Sequence, residues 1–239
     1  MNEETTNPNS AEVTTTSALH AKYIHDRMAP DRAGLITKLL THLGPKMDST
    51  PAADRGRHGV PGGLCMHIDE IISWMLVATH NMPGGHKLSY DSIVTAAILH
   101  DLFKVTDGSH NPYYVPNILK NGQQSPNVPY KHNKDKYMNW GISPDNVLIR
   151  MSVSPDPLAR YAYQMITTDR LESNNGILSS AVVYALEPDL WNHLTTWEQD
   201  AIKFYGMAFV TPKYKLQHLV NPLMTLLHCG DMLSSNPAK

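Results

Sequence analysis

The stretch Ile93–Leu99 is apolar apart from Thr95, and it lies within a segment of helical spacing that Ser89 or Asp91 opens and that runs to about Phe103. A helix apolar on most sides has no face to give to water, so it must lie at the centre of its domain. The elements expected around it are helices too. Leu64, Ile68, Ile71, Met75 and Ala78 repeat at three and four residues over Leu64–Thr79. Leu35, Ile36, Leu39, Leu40 and Leu43 form a stripe over Asp31–Leu43, with Asp31 placed to cap it and Gly44-Pro45 to end it. Ser17–Met28 reads as a helix stopped by Pro30, and Lys46–Gly63 as a loop. Gly176–Leu186 is a short helix. Thr195-x-x-Glu198 is a capping box opening a helix that Gly206 closes, and Asn221-Pro222 opens the last helix, to about Ser235. Ser143-Pro144 and Ser154-Pro155 each place a cap before a proline at the first helical position. The expected fold class is all-α, a single helical bundle.

The chain has 239 residues, 41% hydrophobic and 18% charged. That suffices for one large core and excludes global disorder. Residues 1–16 read as a disordered polar tail and 17–239 as one domain. A net charge of −2 lacks the basic footprint of a binder of long nucleic acid. No apolar run reaches the ~18 residues of a membrane span, and no signal-peptide pattern opens the chain. Cys65 and Cys229 cannot build a disulfide framework, so a reducing cytoplasm is the expected setting. Both thiols are expected to be buried.

Val105–Ser143 changes character. It is polar and carries Tyr113, Tyr114, Tyr130, Tyr137 and Trp140 among Lys120, Lys131, Lys134 and Lys136. Asn121-Gly122 is a hairpin-turn signal within it. A long insert inside a compact domain is usually functional, so 113–140 is a candidate lid or substrate insert.

Four residues stand where an apolar core should not tolerate them. His67 flanks the Leu64/Ile68/Ile71 stripe. His100 and Asp101 end the most apolar helix. Asp231 follows Leu227 by four residues and Leu223 by eight, on the apolar face of the last helix. Taken singly, a buried His is usually a hydrogen-bonded core residue, and an Asp at a helix end is usually a cap. The adjacent His100-Asp101 pair resists that explanation. Buried carboxylates are expensive without compensation. A divalent cation would compensate both carboxylates and use both imidazoles. It would keep two octahedral positions open for chemistry.

Three segments then line up: Pro61-Gly62-Gly63-Leu64-x-x-His67, Ala96-Ala97-Ile98-Leu99-His100-Asp101-Leu102-Phe103-Lys104 and Leu227-His228-Cys229-Gly230-Asp231-Met232-Leu233. In order, spacing and helical context this resembles the HD-domain metal-dependent phosphohydrolases, whose pattern is H…HD…D. More closely it resembles the small HD-domain hydrolases of bacteriophages and bacteria. The resemblance spans roughly Gly62 to Ser235. It implies one divalent metal ion held by His67, His100, Asp101 and Asp231. Mn, Fe, Co, Ni, Mg and Zn are all compatible with that ligand set. It also implies that Asp101 holds the attacking water and that Lys104 meets a substrate phosphate. Lys104 equally suits a solvated helix end, where its charge complements the dipole. Glu70, one turn after His67, is either a catalytic base behind the site or a surface charge. His228 either points at the site or packs. Two-metal members add histidines, one near Asn174-Asn175-Gly176 and Ser180 and one in an AIxxH segment. Here that segment reads Ala201-Ile202-Lys203-Phe204-Tyr205, so one metal is expected. His110, His132 and His193 could substitute only if loops bring them in.

The function implied by the resemblance is metal-dependent hydrolysis of nucleotide phosphate esters. A dNTP triphosphohydrolase or a 5'-nucleotidase acting on the nucleotide pool is expected, in the host cytoplasm if the gene is a phage's. Tyr113, Tyr114 and Tyr130 would be platforms for a base, with Lys120 and Lys131 as cations for its phosphates. The alternatives are a phosphodiesterase of cyclic nucleotides or dinucleotides and an HD protein that sequesters a nucleotide without turnover. No membrane partner is expected. Twelve methionines and the apolar surplus leave room for a homo-oligomeric interface.

Overall fold

The structure, a computed structural model, describes residues 18–82, 87–105, 113–132, 140–142, 148–150, 175–206 and 220–235. The polar tail at 1–16 and the helix expected at Ser154-Pro155 lie outside these residues, as do Tyr137, Lys134, Lys136 and His110. A short π-helical turn at His20–Ile24 stands where the first helix was expected. Then come α1 (Pro30–Leu43), α2 (Pro45–Ser49), α3 (Gly63–Thr79) and α4 (Tyr90–Leu99), followed by a 3-10 turn at Leu102–Lys104. Two small hairpins follow: β1 (Tyr114–Pro116) with β2 (Tyr130–His132), and β3 (Trp140–Ile142) with β4 (Leu148–Arg150). The chain closes with α5 (Asn175–Leu186), α6 (Pro188–His193), α7 (Thr196–Phe204) and α8 (Pro222–Ser235). Among the described residues the protein is mostly helical, and no helix is long and apolar enough to cross a membrane.

The centre is where the apolar run placed it. Every residue of α4 from Ile93 to Leu99 is buried. Ser89 caps this helix, its hydroxyl accepting the Ser92 N–H at 3.0 Å. Around α4 stand α3, α7 and α8, and α8 packs most extensively along α3. The large side chains Ile36, Leu39, Met47, Leu64, Ile68, Ile71, Ile72, Met75, Ile93 and Phe103 fill the interior, fully buried.

Several local expectations are corrected. Asp31 does not cap α1. The cap position is Ala29, and Pro30 opens the helix at its first position, where a missing N–H costs nothing. Part of the loop expected over Lys46–Gly63 is the short helix α2, which Pro45 opens in the same way. The helix expected after Ser143-Pro144 gives way to strand β4, paired with β3 in the register Ile142↔Leu148. Cys65 is buried as expected, but Cys229 is exposed. The capping box forms in full. The Thr195 hydroxyl accepts the Glu198 N–H at 3.3 Å, and Glu198 Oε2 accepts the Thr195 N–H at 2.7 Å.

The insert holds an ordered hairpin. Tyr114 opposes His132, Val115 opposes Lys131 and Pro116 opposes Tyr130. The turn lies at the Asn121-Gly122 signal. Gly122 donates its N–H to the Leu119 carbonyl at 2.9 Å and takes φ +81°, a conformation that favours glycine. Leu119 N–H closes the loop onto the Gln123 carbonyl at 2.8 Å. The base of the hairpin is tied down on both sides. Tyr113 N–H reaches the Lys104 carbonyl at 3.3 Å, and Tyr130 N–H reaches the Asp54 carbonyl at 3.2 Å.

Candidate metal centre

Two glycines let α3 start where it does. Gly62 occupies the cap position with φ +75°. A Cβ on Gly63 would lie 2.1 Å from the His58 carbonyl oxygen, so the preceding loop crosses the helix start in direct backbone contact. That contact fixes the helix that carries His67 one turn later. Gly63→Ala is therefore expected to destabilise the fold by about 1–3 kcal/mol, the usual cost of overpacking. Urea unfolding measures this, and a midpoint equal to the parent's would refute it.

His67 on α3 and His100 at the end of α4 are 2% and 0% exposed. Their ring centroids are 5.6 Å apart. Helix α4 stops at Leu99, and Asp101, at φ −118° and ψ +14°, leads into the 3-10 turn. That break swings the Asp101 carboxylate back beside the two rings. Asp101 Oδ2 lies 3.5 Å from His67 Nε2 and 3.4 Å from His100 Nε2. One ligand atom from each of His67, His100 and Asp101 falls within 4.8 Å of the others. Asp231 on α8 borders this trio, with Oδ1 3.2 Å from His67 Nε2.

The hydrogen bonds determine which nitrogen faces the trio. His100 Nδ1 is 2.7 Å from the Ala97 carbonyl, which can only accept, so Nδ1 carries the proton. His67 Nδ1 is 2.8 Å from Ser234 Oγ. The single Ser234 proton goes to Glu70 Oε2 at 2.7 Å, so here too Nδ1–H is the donor. Both Nε2 atoms are buried and neither has an aligned hydrogen-bond partner. Buried polar atoms are nearly always satisfied, so two facing orphans beside a carboxylate mark the place of a ligand. Two imidazole nitrogens and carboxylate oxygen form a donor set suited to a divalent metal ion, and His67, His100 and Asp101 could hold it, with Asp231 at its side.

The electrostatics agree with the geometry. Burial pushes the Asp101 carboxyl up, but the Lys104 ammonium and both imidazoles outweigh it and hold it well below the ordinary range. Burial likewise pushes Asp231 up, and the His67 hydrogen bond brings it below its usual value. For His67 burial acts downward, and the Asp101 and Asp231 carboxylates reverse it, so the group is raised. Lys104 stands where HDxxK spacing put it, its Nζ 2.5 Å from Asp101 Oδ2.

Sequence reasoning missed three participants. Tyr205, read above only as a replacement for a histidine, is buried and donates its phenol O–H to Asp101 Oδ1 at 3.2 Å. Its ring stands edge-on to His100, with centroids 5.2 Å apart. Burial, with Asp101 and Asp231 nearby, pushes that phenol well above its ordinary range, so it stays a donor. Ser234 lies three residues after Asp231, on the same helix face, and that spacing was the available signal. His58, buried in the loop before α3, stacks edge-on to His67 at 5.1 Å. Burial lowers it below the usual histidine value.

Glu70 is neither a free surface charge nor within the trio. Its Oε2 accepts from Ser234, from Arg57 and, at 3.1 Å, from His58 Nε2. Tyr113 and Tyr114 do reach the site's border. Phe103, Tyr113, Tyr114 and His132 form one ring cluster with neighbouring centroids at 4.8–5.2 Å. Burial, then Tyr113 and Asp101, push the Tyr114 phenol up. Tyr130 opposes Pro116 in the hairpin and is half-buried. The two lysines are not gathered with the rings. Lys120 is exposed in the hairpin turn, and Lys131, exposed, points to the opposite strand face from Tyr114 and His132. The chain matches no family model, no curated protein and no solved structure.

Proposed function

We propose that this chain is a metal-dependent phosphohydrolase of nucleotides, acting on a deoxynucleoside triphosphate or monophosphate. The observation that carries the reading is the pair of buried, partnerless Nε2 atoms of His67 and His100 facing Asp101 Oδ2. A divalent ion, when bound, supplies Lewis acidity toward a phosphate oxygen and toward the attacking water. The protein's share is positioning and charge. His67, His100, Asp101 and Asp231 hold the ion. Tyr205 keeps Asp101 Oδ1 engaged, which leaves Oδ2 turned to the two imidazoles. Lys104 offers an ammonium beside that same oxygen, where a substrate phosphate would come within its reach.

The nucleotide part of the reading is supported by what adjoins Lys104. The Phe103/Tyr113/Tyr114/His132 cluster presents rings next to a cation, and Tyr113 is bonded directly to the Lys104 backbone. Rings beside a phosphate-binding cation suit a base and its phosphate together. The HD-type motif order supports phosphoester hydrolysis in particular.

A product screen tests the proposal. The protein is offered NTPs, dNTPs, NMPs, dNMPs and cyclic dinucleotides with Mn, Co, Ni and Mg in turn. The expected result is metal-dependent release of triphosphate from a dNTP or of phosphate from a dNMP. Turnover of cyclic dinucleotides alone would replace the reading by a phosphodiesterase. Silence on every substrate with metal bound would end it.

A further inference from the structure

Glu70, Ser234, Arg57 and His58 come from three separate elements, yet they converge behind one ring. We propose that Glu70 and Ser234 are positioning residues that lock the His67 imidazole with its proton on Nδ1, so that Nε2 is kept for the metal. The inference rests on the metal-centre reading and adds to it a device that selects the ring's tautomer.

The case is one of counting donors. Ser234 Oγ has one proton and two contacts, His67 Nδ1 at 2.8 Å and Glu70 Oε2 at 2.7 Å. A carboxylate oxygen cannot donate, so the serine proton must point to Glu70 and its lone pair to His67. Only then is Nδ1–H forced on the ring. Arg57 and His58 also donate to Glu70 Oε2, which keeps that oxygen an acceptor and fixes its place. Arg57 Nη2 donates as well to the Ser234 backbone carbonyl at 3.1 Å, tying the loop before α3 to the end of α8. Ser234 is wholly buried, so water does not compete for its hydroxyl. Without Glu70 the serine proton is released to turn toward Nδ1. The ring's own proton would then sit on Nε2, at the place a metal needs.

The same logic separates the variants. Ser234→Ala and Glu70→Ala both remove the constraint. Glu70→Gln keeps it, because the Arg57 and His58 donors hold the amide with its oxygen toward Ser234. The expected result, by chelator competition with Zn2+, is roughly 10–100-fold weaker binding in the two alanine variants, with Glu70→Gln close to the parent. The second readout is the nitrogen NMR of His67 in metal-free protein, at a pH where the ring is neutral. The parent and Glu70→Gln should show the proton on Nδ1, and Glu70→Ala should move it toward Nε2. Thermal melting of the metal-free variants accompanies both, since a general loss of fold would lower melting without moving the tautomer. Parent-like Zn2+ affinity in Ser234→Ala, or Nδ1–H persisting in Glu70→Ala, overturns the inference. Absence of Zn2+ binding by the parent itself defeats the metal-centre reading and this inference with it, an outcome the parent alone reveals.

Discussion

Replacing His100 by alanine is expected to abolish turnover and metal-dependent stabilisation together while leaving the fold in place. The residue is wholly buried, its Nδ1–H is committed to the Ala97 carbonyl and its Nε2 is an orphan in the absence of metal. Removing an unsatisfied nitrogen costs the metal-free protein little, although edge-on packing with Tyr205 is lost. The metal-loaded protein loses far more, because one of the trio's two imidazole donors is gone. In the parent, metal at about 100 times its Kd should add roughly 2.7 kcal/mol of stability. For a chain of this length that is about 5–11 °C in Tm. The variant should show almost none of this rise, and its metal affinity should fall by more than the roughly 10–100-fold that loss of a ligand's hydrogen-bond partner costs. Melting curves with and without Mn2+, read beside the product screen, decide the matter. Full turnover with a normal metal-induced shift in His100→Ala would show that this cluster is not the centre.

Arg32→Ala should be the most destabilising single change away from that centre. Arg32 on α1 is 9% exposed at its side chain and Glu198 on α7 1%, and they pair through two bonds, Nη1–Oε1 at 2.8 Å and Nη2–Oε2 at 3.3 Å. Arg32 Nη1 also donates to Thr95 Oγ1 at 3.3 Å, on the central helix α4. The pair therefore links three helices. Removing one partner of a buried ion pair leaves an uncompensated charge, at a cost of about 3–5 kcal/mol, which is roughly 6–20 °C in Tm at this size. Glu198 cannot be relieved by turning away, because its carboxylate also completes the Thr195 capping box.

The pH dependence of this variant has a definite sign. Burial pushes the Glu198 carboxyl up, but the Arg32 hydrogen bonds and the Thr195 N–H outweigh it and hold it below its usual 4.5. A depressed carboxyl contributes stability that is present above its unfolded value and lost as pH falls through the folded one. The parent should therefore lose this contribution in the acid range below about pH 4.5. In Arg32→Ala the counter-charge is gone, and burial raises the carboxyl instead. The stability gap between parent and variant should be widest near neutral pH and should narrow as the solution is acidified. Urea unfolding at a series of pH values measures the gap. A gap that is constant with pH would mean that the loss comes from packing of the arginine stem rather than from the ion pair.

Periodicity and local chemistry made the helical frame legible in the chain alone. The three- and four-residue spacing of Leu64, Ile68, Ile71 and Met75, the apolar run to Leu99, the Thr195 capping box and the Asn121-Gly122 turn are signals held within a few neighbouring residues, and each became the element it announced. His67, His100, Asp101 and Asp231 were also readable, because a charged or titratable group inside an apolar pattern is anomalous by itself. What surrounds them was not readable. Pro30 and Pro45 opened helices rather than ending the preceding segments, and residues 148–150 joined a strand rather than a helix, since a proline marks a boundary without naming its side. Tyr205, Ser234, His58 and Arg57 carry no local anomaly. Tyr205 lies 104 positions from Asp101, and Ser234 lies 167 from His67. A hydrogen bond depends on distances near 3 Å between atoms whose sequence separation has no bearing on them. So the chain specified by itself which groups had to be buried and therefore compensated. Only the packing of α3, α4, α7 and α8 decided which nitrogen faces inward, which oxygen is left unengaged and what stands behind each.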